Sequence, residues 1–127
     1  MLCEMKLALN GATTMRANLE TDFEAAKAVG FDYVEIWAAK LRTYLHQRTA
    51  KELKHLIDET GVRPLSINSI EHITFRDAAA YESIKAECAE LSQIAARIGC
   101  PFIVVVPGKL PSGGRRVRKS SRNLCAC

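Results

Sequence analysis

The sequence predicts an α/β fold in which four parallel strands alternate with three helices, and three observations carry that prediction. Helical stripes with apolar residues every three or four positions occur three times. Each stripe ends at a glycine, with a strand-forming run close behind it. The last run, Phe102-Ile103-Val104-Val105-Val106, has no polar alternation, the pattern of parallel strands buried on both faces. The order read from these elements is β-α-β-α-β-α-β.

Lys6-Leu7-Ala8-Leu9-Asn10 supplies the first strand. The first helix is expected to begin at Thr21-Asp22-Phe23-Glu24, a T-x-x-E capping box, and to run to Val29 before Gly30. Leu19, Phe23 and Ala26 share one face of it. Tyr33-Val34-Glu35-Ile36-Trp37 is a strand by its β-branched and aromatic content. The second unit opens on another capping box, Thr49-Ala50-Lys51-Glu52, carries the stripe Leu53, Leu56, Ile57 and Thr60, and stops at Gly61. Pro64 follows, then the strand Leu65–Ile70. The longest stripe, Tyr81, Ile84, Cys88, Leu91, Ala95 and Ile98, closes at Gly99. Helix-to-strand turns are short. The strand-to-helix segments Gly11–Glu20, Ala38–Arg48, Glu71–Ala80 and Gly108 onward are longer and polar, and loops after strand C-termini are where α/β folds carry function.

Charge is unevenly placed. Of the 18 Lys and Arg residues, five (Arg115, Arg116, Arg118, Lys119 and Arg122) fall in residues 113–127, where no acid occurs. The first 112 residues are nearly neutral, so only the tail can attract polyanions. This Arg-, Ser- and Cys-rich stretch has little to bury and is expected to be disordered. The five cysteines make no C-x-x-C pair; Cys88 and Cys100 are expected to be buried reduced thiols, and Cys125 and Cys127 are too sparse for a zinc site. No run approaches the roughly 20 apolar residues of a membrane span, and the N-terminus has no signal-peptide pattern, which places the protein in the cytoplasm.

Several stretches resemble the sugar phosphate isomerase/epimerase branch of the xylose isomerase-like TIM barrel superfamily. Gly30-Phe31-Asp32-Tyr33-Val34-Glu35-Ile36-Trp37 is similar to its second strand, Met5–Asn10 to its first, and Ile98-Gly99-Cys100-Pro101 through Pro107-Gly108 to its fourth. The resemblance covers about residues 5–112 and implies a partial (β/α)8 barrel of four β/α units, a domain over 1–112 followed by the tail 113–127. A whole barrel needs eight strands and about 250 residues. The change to acid-free, Arg-rich sequence after Ser112 is the kind a frameshift produces, which implies a truncated homologue.

The family implied by the resemblance isomerises or epimerises sugars, ketoses or polyols with a divalent cation, Mn, Mg or Co. The cation polarises the substrate carbonyl and hydroxyl, and glutamates move the proton. Those groups lie in the second half of such barrels, so no catalytic or metal-ligating residue is assigned here and the chain alone is expected to be inactive. Asn10, Glu35, Trp37, Asn68 and His72 remain as candidates for one wall of a substrate pocket. Asn10 and Asn68 close strands, where an amide either meets a sugar hydroxyl or ties off its own backbone. Glu35 alternates with Tyr33 and Trp37 on a face looking into the barrel, and a carboxylate there needs partners. Trp37 either stacks on a sugar ring or packs. His72, beside Glu71, is the histidine placed to touch substrate or shuttle a proton, or else is structural, whereas His46 in a loop and His55 on a helix face solvent. The related apurinic-site endonucleases place a metal-binding histidine where this chain has Val106, before Pro107-Gly108, which speaks against nuclease chemistry. The other reading is a non-enzymatic module, an open doubly wound sheet whose basic tail binds a partner or nucleic acid. In a half barrel the first and last strands expose unpaired edges, which predicts self-association.

Overall fold

The structure, a computed structural model, describes residues 5–112. The basic tail, Cys3, Cys125 and Cys127 lie outside the described residues, and with them the expectations made for them. The elements run β1 (Ala8–Asn10), α1 (Leu19–Val29), β2 (Tyr33–Trp37), α2 (Ala38–Gln47), α3 (Ala50–Thr60), β3 (Arg63–Ile70), α4 (Ala78–Ile98) and β4 (Phe102–Val105). The four strands are parallel and lie in the order β1-β2-β3-β4. Every crossover therefore advances the sheet in one direction, as in a closing barrel. A doubly wound sheet reverses its strand order, and this one does not.

Two expectations about the helices change. The first helix starts at Leu19, because Asn18 caps it: the Asn18 side chain accepts the Thr21 backbone N–H at 2.9 Å. The earlier start brings Leu19 onto the buried face with Phe23 and Ala26. The segment 38–48, read as a loop, is the helix α2, with Ala38, Leu41 and Tyr44 buried at intervals of three. It carries neither an N-cap hydrogen bond at Trp37 nor a glycine stop, for Arg48 leaves it in an extended conformation. His46 is thus helical, and it and His55 are exposed. The capping box of Thr49 and Glu52 forms as read.

The core lies between the helices and one face of the sheet. Val34, Ile36 and Ile67 are fully buried there against Phe23, Leu41, Leu53, Leu91 and Ile98. β4 is not buried on both faces as its apolar run suggested. Phe102 is 63% exposed and Val105 50%, because β4 is an edge strand whose far side has no neighbour among the described residues. Cys100 is buried, and burial raises its thiol pKa; Cys88 is exposed, since the buried residues of α4 are confined to Leu91, Ala95 and Ile98. No helix of the described residues is long and apolar enough to cross a membrane.

Acid sensitivity follows from two carboxylates. The Leu7 backbone N–H, 3.1 Å from Asp32 Oδ2, holds Asp32 below the usual carboxylate range, and the Thr49 backbone N–H and hydroxyl do the same for Glu52. A lowered folded pKa gives stability that is complete above the unfolded pKa of about 4 and is lost as pH falls through the folded value. The urea midpoint of D32N/E52Q is therefore expected to fall less between pH 7 and pH 3 than that of the parent. Equal falls would show that these contacts do not set the acid response.

Candidate functional site

The inner face of the sheet is set by register. Asn10 pairs with Glu35, Glu35 with Ser66, and Trp37 with Asn68, so their side chains leave the same face, opposite the helix-packed core. Glu35, in the middle of β2, is the centre of this face. Its Oε1 accepts the amides of Asn10 and Asn68, each at 2.9 Å, and its Oε2 accepts the Ser66 hydroxyl at 2.7 Å. Three adjacent strands are thus tied through one half-buried carboxylate. Neutral donors satisfy it, which removes the cost of setting a charge on a partly covered face. The Asn10 carbonyl Oδ1 also accepts the Ala12 N–H at 2.8 Å, so this one amide both ties off its own turn and reaches Glu35.

The other two candidates stand apart from this cluster. Trp37 borders a crevice of about 350 Å³ between Met15–Glu20 and α2, which Arg16, Lys40, Tyr44 and Arg48 also line. None of Asn10, Glu35, Asn68 and His72 lines that crevice. His72 follows β3 in the left-handed region at φ 57, with its side chain more than half exposed and Nε2 3.7 Å from Glu71 Oε2. The structure does not bring it to Glu35.

Sequence reasoning missed two parts of the site. Ser66 is buried and anchors Glu35, and its signal was the i, i+2 spacing with Asn68 on one strand face. The second part lies behind the loop after β1. The Lys40 ammonium donates to Asp22 Oδ1 and Oδ2 at 2.9 and 2.7 Å and to the Thr14 carbonyl at 2.8 Å, with side-chain exposures of 5% for Lys40 and 0% for Asp22. The Thr14 hydroxyl donates to Asp22 Oδ1 at 2.6 Å. This network fixes the loop that leaves Asn10. Gly11 fits where it does for want of a side chain: a Cβ there would stand 3.0 Å from Asp22 Oδ2 and 3.2 Å from both the Glu35 carbonyl and the Trp37 nitrogen.

The described residues do not form a metal site. No three or more His, Cys, Asp or Glu side chains converge among them. The nearest approximation, Glu71 with His72, offers too few ligands to hold a divalent cation.

Four sequential parallel strands with helices on one face and a polar cluster on the other define part of a (β/α)8 barrel with its inner wall exposed. Comparison with known families agrees with this, and the chain belongs to the xylose isomerase-like TIM barrel family, whose model matches residues 23–126. It is 37% identical over 105 residues to an inosose isomerase of Halalkalibacterium halodurans, covering 81% of this chain and 37% of that enzyme. It is 30% identical over 105 residues to the inosose isomerase of Bacillus subtilis, covering 81% of this chain and 38% of the enzyme. Among solved structures it is similar to an IolI protein with a bound zinc atom, at TM-score 0.81 and 29% identity, over 91% of this chain and 42% of that one. A probable 3-DHS dehydratase, AsbF of Bacillus anthracis, shares the fold at TM-score 0.74 and 16% identity, over 94% of this chain and 44% of that one. The chain spans less than two-fifths of the length of the inosose isomerases it matches.

Proposed function

We propose that these residues form the first half of a barrel that isomerises a sugar or an inosose-type polyol ketone, and that they serve as the substrate-positioning wall. The observation that carries this reading is Glu35 held by Asn10, Ser66 and Asn68 on the inner face of three strands. Each amide keeps a second N–H, and Asn68 also keeps its carbonyl oxygen for a ligand. Because the carboxylate fixes both amide groups, a polyol meets hydrogen-bonding partners that need little reorganisation on binding. Trp37 extends the wall with an apolar surface. Cation chemistry, and the ligands for Mn, Mg, Co or zinc, belong to the other half of the barrel, as do the groups that move the proton. On this reading the 127-residue chain does not turn over substrate alone, and it acts in the cytoplasm.

A chimera tests the proposal. Residues 5–112 replace the matched segment of the Halalkalibacterium halodurans isomerase, and inosose isomerisation is followed by NMR with divalent cation present. The chimera is expected to be active. Glu35→Ala in it is expected to lower kcat/KM about 10- to 100-fold, the cost of freeing two amides and a hydroxyl. Asn68→Ala is expected to raise KM more than it lowers kcat. A folded chimera whose rate ignores Glu35→Ala would overturn the role of the cluster, and turnover by the 127-residue chain alone would overturn its dependence on another half.

A further inference from the structure

We propose that two copies of this chain close one eight-stranded barrel about a two-fold axis, each using both of its sheet edges. The inference rests on topology and edge chemistry and does not depend on the substrate reading. Among the described residues, both outer strands have one open side. Val106 donates its N–H to the Ile70 carbonyl at 2.8 Å, so by strand alternation the backbone groups of Ile103 and Val105 point away from β3. On β1, the Leu7 carbonyl and the Gly11 N–H turn towards β2, accepting from Tyr33 at 3.1 Å and donating to Glu35 at 2.9 Å. The backbone of Ala8 therefore faces the other way. Unpaired edges of this kind are templates for a further strand.

Direction and number select the partner. β1 and β4 run parallel in one sheet, so an axis along the strands sets β4 of each copy beside β1 of the other, twice, in parallel. Four strands and four strands make the eight that close a barrel whose interior is filled by side chains. Pairing β4 with β4 would either turn the strands antiparallel or put the inner face of one copy beside the outer face of the other, and would leave both β1 edges open. Exposed apolar side chains mark both edges: Leu7 beside β1, and Phe102, Val105 and Val106 on or after β4. Phe102 and Val104 pair in register with Ser66 and Asn68, so they face the bore, where the second copy would cover them.

Sedimentation equilibrium on the purified 127-residue chain over a dilution series tests the proposal. The expected mass is twice the 14.0 kDa of one chain, falling towards one chain on dilution. Val105→Pro removes an outward N–H without touching the bonds to β3, and Phe102→Lys places an ammonium in the bore. Each is expected to weaken the dimer about tenfold or more while leaving the far-UV circular dichroism of the monomer unchanged. If Val105→Pro loses its helical signal, Phe102→Lys decides. A monomer at every concentration would overturn the proposal, as would an open-ended series of aggregates, a dimer that Phe102→Lys does not weaken, or association only with a different protein.

Discussion

Replacing Asp22 with alanine is expected to cost about 3–5 kcal/mol of stability, because it strands the Lys40 ammonium in a site with 5% side-chain exposure. The ammonium's three N–H groups are shared among four acceptor atoms there, two on Asp22 and two on Thr14, and only those on Asp22 balance its charge. Lys40→Met should be similarly costly, since it leaves the Asp22 carboxylate, fully buried, with the Thr14 hydroxyl as its remaining donor. The double variant D22L/K40M removes both charges and is expected to recover most of the loss, because burying an ion pair is itself expensive. Urea unfolding of the four proteins makes the cycle. Single variants that lose under about 1 kcal/mol would mean that water reaches the pair and that the loop after β1 is held by something else. The loop matters because Gly11 and Asn10 adjoin it, so its loosening would misplace one of the three donors to Glu35.

What was legible in the sequence was what local chemistry dictates. The glycine after each of three helices, the Thr49–Glu52 box and the β-rich runs each need only neighbouring residues to be read. So did the direction of Glu35, since strand alternation alone puts it with Tyr33 and Trp37. The helix α2 was not legible because it has no cap to announce it. It begins directly from β2 at Trp37, and what holds it is tertiary: Leu41 in the core and Lys40 on Asp22. The Lys40–Asp22 pair joins residues 18 positions apart on two helices, a spacing that no periodicity encodes. The apolar run of β4 misled for a different reason. It describes a strand with neighbours on both sides and cover on both faces, and among the described residues β4 has one neighbour. Its exposed Phe102 fits the inner wall of a closed barrel better than it fits a free edge. Asn10 shows how two readings of one residue can both hold, because its carbonyl serves the turn and its amide serves Glu35.

The core prediction has the next largest effect. Phe23→Ala is expected to destabilise the fold by about 3–5 kcal/mol, the usual range for truncating a buried phenylalanine. Phe23 is wholly buried on α1, within the same core as Ala26, Val34 and Ile36, and the cavity it leaves would lie where α1 meets β2 and α3. Those elements are pinned on other sides: β2 is hydrogen-bonded to β1 and β3, and α1 is tied to α2 through Asp22. The site can therefore collapse only in part, which keeps the cost towards the upper end of the range. Phe23→Leu retains most of the volume and is expected to lose less than half as much. The comparison separates packing from composition, because both variants remain apolar at this position. Urea midpoints that fall equally for the alanine and leucine variants would mean that the ring, rather than the volume it fills, holds α1 on the sheet.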